Sequence, residues 1–197
     1  MVPLAALRSF GIRKVAVTTF QAVSGAGYPG VPSLDILGNV IPYIGGDEEK
    51  KVESEPQKIL GELDGDRIRP LPFAVSASCN RVPSIDGHLV SASVEFERRP
   101  ERQEILEAFE RFTGLPQERS LPSAPKRPIH FLEAQDRPQP RKDAGLERGM
   151  ATVVGRLREC SLFQWKLAAL SHNVLRGAAG AALLNAELMQ SEGLLGP

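Results

Sequence analysis

Cysteine is scarce in this 197-residue chain: Cys79 and Cys160 are the two, with no close spacing. That excludes a disulfide framework and a cysteine-based zinc site as organising features, and a reducing cytoplasm is the expected compartment. Net charge is absent as well, 24 Lys and Arg balancing 24 Asp and Glu. No global field then draws the chain to nucleic acid or to an anionic membrane surface, and neither is an expected partner. No apolar run approaches the roughly 18–20 residues that span a bilayer. The opening Met-Val-Pro-Leu-Ala-Ala-Leu-Arg-Ser-Phe lacks a basic n-region and a proper apolar core, so it does not read as a signal peptide. Of the three histidines, His130 and His172 have no acidic or cysteine cluster beside them, so no metal site is expected. A G-x-G-x-x-G dinucleotide fingerprint ahead of a helix occurs nowhere. What is present, 42% hydrophobic and 24% charged residues, suits a globular chain of one large domain or a domain and a half.

Local patterning divides the chain. Leu4, Leu7 and Phe10 share one face of a short helix stopped by Gly11. The Val- and Thr-rich run 14–20 predicts a strand, and the glycines and prolines of 24–33 an irregular loop. Residues 47–61 predict a helix, 74–77 a strand, and 89–96 a strand that alternates cleanly, Val90, Ala92, Val94 and Phe96 against Ser91, Ser93 and Glu95. Ile105, Leu106, Phe109 and Phe112 line one face of a helix over 100–114. The proline-rich stretch 115–145 cannot be regular helix or central strand, and its Leu121, Ile129, Phe131 and Leu132 favour a long ordered loop. Residues 152–157 predict another strand, and 177–189 an Ala/Leu-rich helix. Strands and helices without strict alternation indicate an α+β fold with a mixed, largely antiparallel sheet and flanking helices.

Two segments carry chemistry. Ser-Ala-Ser-Cys-Asn-Arg-Val-Pro-Ser-Ile-Asp-Gly-His contains Arg81 and His88 in a constrained loop leading into a strand. A guanidinium binds a carboxylate as a bidentate fork, and an imidazole moves protons near neutrality. On spacing alone the simpler account is a structural salt bridge at Arg81 and a surface position for His88. The second segment places Gln21 before Ser24-Gly25-Ala26-Gly27, where backbone amides can approach a ligand and a buried amide can donate to an oxyanion, or where the chain simply turns. Glu55 and Lys58 fall on one helix face, which suits a solvated ion pair, though a lysine also serves as a point charge for phosphate. Cys79 lies near His88 in sequence, but it ends an apolar strand, whereas a reactive thiol needs an electropositive, partly exposed site. It reads as a buried structural thiol, and Cys160 has less support still.

Taken together, Val-Thr-Thr-Phe-Gln-Ala-Val-Ser-Gly-Ala-Gly-Tyr-Pro-Gly-Val-Pro-Ser, Asn-Val-Ile-Pro-Tyr-Ile, Ser-Cys-Asn-Arg-Val-Pro with Asp-Gly-His, Leu-Pro-Ser-Ala-Pro, Asp-Arg-Pro-Gln-Pro-Arg and Ser-His-Asn-Val-Leu-Arg-Gly-Ala-Ala-Gly-Ala-Ala-Leu-Leu-Asn-Ala-Glu strongly resemble aspartate-semialdehyde dehydrogenase, in its archaeal and fungal branch. The resemblance runs from about residue 4 to residue 190. It implies the C-terminal catalytic and dimerisation domain of that family, with a fold like the C-terminal domain of glyceraldehyde-3-phosphate dehydrogenase, over residues 1–197. It implies reduction of L-aspartyl-4-phosphate by NADPH to aspartate semialdehyde and phosphate, on the route to lysine, threonine and methionine, through a thioester on a cysteine nucleophile.

By the same resemblance His88 matches the acid/base histidine, Arg81 the arginine that grips the substrate carboxylate, and Gln21 the glutamine that positions substrate at the nucleophile. Glu55 would face the substrate amino group and Lys58 the phosphate. Ser24, Gly25 and Gly27 of the small-residue turn, with Asn173, would line the nicotinamide end of NADP. The family's nucleophile sits in an Asn-Cys-Ser/Thr motif that would fall shortly before Met1, and the nucleotide-binding Rossmann half is missing too, so the chain alone is expected to be inactive. A helix over about 171–190 is expected to pack toward that missing half. The expected partners are a small-molecule substrate and a second copy or more, as homodimer or homotetramer. Two other readings remain open: a malonyl-CoA reductase of the same fold, which would have less need of a phosphate lysine, and a non-catalytic dimerisation module.

Overall fold

A computed structural model of the chain describes residues 1–195. In chain order its elements are α1 Val2–Ala6, β1 Ile12–Gln21, α2 Ser33–Ile36, α3 Glu48–Ile59, β2 Glu62–Asp64, β3 Arg67–Arg69, β4 Ala74–Arg81, β5 His88–Phe96, α4 Arg102–Arg111, α5 Leu115–Glu118, β6 Ile129–Leu132, α6 Pro140–Asp143, β7 Thr152–Glu159, β8 Trp165–Ser171 and α7 Gly180–Ser191. Six strands form one sheet in the order β4-β1-β5-β8-β7-β6, and β2 pairs with β3 apart from it. The pairs β1–β5, β5–β8 and β7–β8 are antiparallel, while β1–β4 and β6–β7 are parallel. The sheet is thus mixed, and the fold α+β as its sequence pattern indicates.

The hydrophobic core lies on one sheet face. Alternation along β1 and β5 puts Val15, Val94 and Phe96 on that face, where α1 with its following turn adds Leu7 and Phe10, and α4 adds Ile105 and Phe109. Ile105 and Phe109 are four apart on α4 and almost fully buried. Burying each contributes about 1.5–3 kcal/mol. The helix starts on a capping box in which Glu101 N donates to Glu104 Oε2 at 2.8 Å. Phe10 meets Phe96 edge to face at 5.9 Å between centroids.

The opposite face is covered only in part. The segment 137–149 lays Ala144 and Leu146 over Val153, Leu170, Leu89 and Leu132. It is pinned by Asp143, 1% exposed, whose carboxylate accepts from Arg137 Nε at 2.7 Å, from Arg137 Nη2 and from Gln139 N at 2.6 Å. The rest of that face carries small residues in register, Ser78 beside Thr18, Thr18 beside Ser91, and Ser91 beside Ala168. Among the described residues no element of this chain packs over them, and Ser78 is exposed.

The structure departs from the sequence pattern in four places. The proline-rich 115–145 stretch is ordered, but it also contains β6, an edge strand between Pro128 and Pro138 that pairs only with β7. An edge strand tolerates flanking prolines because one side of its backbone needs no partner. The β2–β3 hairpin, turned at Asp64-Gly65-Asp66, has strands of three residues, too short to be read in advance, and β8, Trp-Lys-Leu-Ala-Ala-Leu-Ser, is masked by its Ala/Leu content, which does not favour strand over helix. The final helix is preceded by a π-helical turn, Leu175–Ala179, and only Leu184 of α7 is buried, against Leu121 and Met150. Leu183 and Met189 stay exposed, at 55% and 41%.

Candidate active site

Strands β4, β1 and β5 are neighbours, and at one end of the sheet they bring three sequence-distant side chains together. Register pairs Gln21 with Arg81, and the Phe20–Leu89 pair places Gln21 next to His88. Period-two alternation turns all three toward the core face. Gln21 and Arg81 are buried, each at 7% exposure. The connection between β4 and β5 is held by Gly87, at φ +90°, where an added Cβ would lie 3.2 Å from Ala144, Leu170 and Pro140. Segment 137–149 therefore buttresses the turn that delivers His88.

Arg81 Nη1 donates to Ala22 O at 2.8 Å, and among the described residues the guanidinium makes no ion pair. Burial lowers its pKa from the ordinary arginine value, with the nearby Glu48 carboxylate working the other way. Its remaining N–H groups are unspent, and arginine keeps its charge even after such a shift. His88 Nδ1 accepts a hydrogen bond from Ala22 N at 3.1 Å. Burial first, and Arg81 second, lower the His88 pKa to about 4, against opposing contributions from Glu48 and Asp86. The imidazole is therefore neutral at pH 7.

The small-residue turn 23–26 is tied to the β4–β5 connection by Val23 N to Ser84 O at 2.9 Å and Ser24 N to Ile85 O at 3.2 Å. Asn173, at the end of β8, closes it: Gly87 N donates to Asn173 Oδ1 and Asn173 Nδ2 donates to Ser24 Oγ, both at 2.8 Å. Gly25 lies over the site. A Cβ built on it would stand 2.9 Å from Arg81 Nη1 and from His88 Cε1 and Nε2. Both side chains are held by the Ala22 peptide, so Gly25→Ala is expected to destabilise the fold by about 1–3 kcal/mol. The same methyl must displace the ring, so the His88 imidazole resonances should shift clearly; unshifted resonances would contradict this packing. Gly27 and Gly30 have positive φ, at +70° and +90°, and no side chain crowds them.

Beside His88 a cavity of about 440 Å³ opens between α1 and α3, floored by Val15, Val17, Val90 and Ala92. Glu55 and Lys51 line it from α3, and Arg176 from the turn after Asn173. Lys58, which the resemblance assigns to phosphate, is exposed and does not line this cavity. Arg176, part-buried and without an ion pair among the described residues, is a cavity residue the sequence did not single out.

Glu48 was equally invisible. Gln21 Nε2 donates to Glu48 Oε1 at 3.2 Å and lies 3.4 Å from Thr19 Oγ1, so its amide hydrogens are engaged within the chain. Glu49 and Glu53 accept from Cys79 N and Ala77 N, both at 2.9 Å, and so dock α3 against the edge strand β4. A run of acids opening a helix is a signal for the N-terminus, not for these tertiary contacts. Cys79 is fully buried, and burial together with these carboxylates raises its pKa, with a Thr19 hydrogen bond opposing. It is a protonated, inaccessible thiol. Cys160 sits in the β7–β8 connection, at the far end of the sheet from His88.

The family model for "Semialdehyde dehydrogenase, dimerisation domain" matches residues 2–176. The chain belongs to the semialdehyde dehydrogenase family, in its dimerisation domain. Among its relatives it is 49% identical over 183 residues to the aspartate-semialdehyde dehydrogenase of Methanothermobacter thermautotrophicus, covering 92% of this chain and 52% of that one. It is 45% identical to that of Aspergillus fumigatus, over 99% of this chain and 56% of the relative. The crystal structure of aspartate semialdehyde dehydrogenase with NADP from Candida albicans superposes with a TM-score of 0.87 at 40% identity, covering 98% of this chain and 55% of that one. The chain thus spans about half the length of the relatives it matches. The dimerisation domain holds Arg81, Gln21 and His88 on adjacent strands, while Ser24, Gly25 and Asn173 meet at their rim.

Proposed function

We propose that this chain supplies the substrate-holding and proton-handling half of an aspartate-semialdehyde dehydrogenase, acting on L-aspartyl-4-phosphate with NADPH. The observation that carries this reading is the convergence at one sheet end of a buried guanidinium with no ion pair among the described residues, an amide and a neutral imidazole. Arg81 would clamp the substrate carboxylate through its unspent N–H groups, in surroundings where little water screens the attraction. Gln21, held by Glu48 and Thr19, would fix the reacting carbon's position. His88 would serve the reacting oxygen. Glu55, on the cavity wall, suits the substrate ammonium. NADPH supplies the hydride when bound. The uncrowded glycine backbone at Gly27 and the Asn173-held Ser24 turn fit its nicotinamide end, the remainder lying outside this half.

The test is a hybrid: this chain joined to the nucleotide-binding half of the Methanothermobacter enzyme, assayed with aspartate semialdehyde, phosphate and NADP by NADPH absorbance. Phosphate-dependent turnover is the expected result. Lys58 lies off the cavity that Glu55 lines, so malonyl-CoA with NADPH is the second assay. A folded hybrid that binds NADP and turns over neither substrate would overturn the reading.

The reading extends to assembly as a homodimer, or a homotetramer built from it, in a reducing cytoplasm that keeps both cysteines free. The uncovered sheet face around Thr18, Ser78, Ser91 and Ala168 offers small side chains, which allow a second sheet to approach to about 10 Å. Ser91→Arg is expected to convert a sedimenting dimer into monomer; an unchanged dimer would place the interface elsewhere.

A further inference from the structure

The contact between Ala22 N and His88 Nδ1 decides more than the ring's orientation. A backbone N–H can only donate, so the nitrogen facing it must present a lone pair. In a neutral imidazole the proton then resides on the other nitrogen. We propose that the Ala22 backbone N–H locks His88 as the Nε2–H tautomer, so that in the resting site His88 is a hydrogen-bond donor to the reacting oxygen before it is a base. This deepens the functional reading above and rests on it for the identity of that oxygen.

The local structure supports the lock from three sides. Ala22 is fully buried and its φ, ψ of −65° and 153° are fixed between strand β1 and the turn that follows. Its carbonyl is held by Arg81 Nη1 at 2.8 Å and its N–H by His88 at 3.1 Å, so one peptide segment orders both site side chains. Nε2 lies on the side of Gly25, where Arg81 Nη1 also points, and among the described residues it makes no hydrogen bond.

The chemistry follows from counting protons. Nε2 already carries one, so a proton could be accepted only at Nδ1, which is turned to the Ala22 N–H. Protonation therefore requires that contact to break. The charged groups around the ring act in both directions: Arg81 on β4 opposes the imidazolium, while Glu48 on α3 and Asp86 in the β4–β5 connection favour it. The neutral ring donates a hydrogen bond, not its proton, to a developing oxyanion, in the manner of other preorganised donors. A base function becomes available only after the Ala22 contact opens.

The experiment uses the chain as it stands. Nitrogen-15 NMR of His-labelled protein at neutral pH reads the tautomer directly. A pyridine-like shift for Nδ1 and a pyrrole-like shift for Nε2 are expected, with scalar coupling of the proton to Nε2. On acidification the Ala22 amide proton should move with the same midpoint as His88. The opposite assignment, or an Ala22 amide indifferent to the His88 titration, would overturn the proposal. Ala22→Pro removes the donor at a φ that proline adopts, after a strand residue that tolerates a following proline. Its expected effects are loss of the tautomer preference and a His88 midpoint raised by about one pH unit or more. If the variant does not fold, the tautomer reading on the unmodified chain decides alone. None of these readouts requires turnover, so their outcome is separate from that of the hybrid assay.

Discussion

Replacing His88 with alanine is expected to lower turnover of the hybrid enzyme by about 100- to 10,000-fold, whether the ring moves a proton or donates to an oxyanion. The two roles separate in a second variant. In His88→Gln the amide Nε2 stands near the position of the imidazole Nε2, keeps a donor and cannot titrate. Turnover of His88→Gln at least tenfold above His88→Ala is the outcome expected for a donor; equal losses would favour a pure proton carrier.

His88 also makes the fold sensitive to acid. Its pKa is lowered to about 4 in the folded chain, by burial and by Arg81, against 6.5 when free. The folded state therefore binds fewer protons than the unfolded state between those values. The stability tied to the neutral ring is present above pH 6.5 and is lost as pH falls toward 4. Discounted for the part of the ring that water still reaches, the loss is about 2 kcal/mol. Urea unfolding at a series of pH values should show that decline in the parent chain and a flatter profile in His88→Gln. A decline of the same size in both would assign the acid sensitivity to the carboxylates.

The largest expected effect on stability belongs to a residue far from the chemistry. Arg137→Ala leaves the Asp143 carboxylate, 1% exposed, without the one cation that meets it among the described residues, and with Gln139 N as its remaining partner there. An uncompensated buried charge costs about 3–5 kcal/mol, a large part of the roughly 5–15 kcal/mol that holds a domain together. Arg137→Met with Asp143→Leu is expected to be milder, because removing both partners leaves no orphaned charge. The consequence reaches His88. Ala144 and Pro140, on the segment this ion pair pins, are within 3.2 Å of where a Gly87 side chain would stand. Arg137→Ala should therefore broaden or shift the His88 resonances in whatever fraction remains folded. A denaturation midpoint within experimental error of the parent would show that Asp143 takes up a proton or water at little cost.

Much of the candidate site's membership was legible in advance. Gln21 follows the 14–20 strand pattern directly, whereas Arg81 and His88 read as residues of a constrained loop; the structure makes them the last residue of β4 and the first of β5, because sheet pairing with β1 carries the strands further than their apolar pattern. The Gly-rich turn and Asn173 were legible as motif residues, although their mutual contact was not. Glu55 lines the cavity and Lys58, one turn along the same helix, does not. The cavity face of α3 follows the i+4 row of Lys51, Glu55 and Ile59, and three-residue spacing sets Lys58 about 60° to one side of Glu55, an offset whose consequence depends on how the helix is seated.

The amino-acid sequence by itself determined the family, the α+β class, the amphipathic α4, the alternating β5 and the identities of the charged and titratable site groups, because these follow from local periodicity and from motif residues. Only the tertiary structure decided which groups touch. It put Glu48 on Gln21, Arg176 into the cavity, Cys79 out of reach, and the Ala22 N–H on His88. Such contacts depend on sheet order and on helix rotation, which are set by burial of whole faces and not by any short run of residues. The charge and proton position of the imidazole follow from that packing, so the same histidine that the sequence identifies acquires its chemical state only in the folded chain.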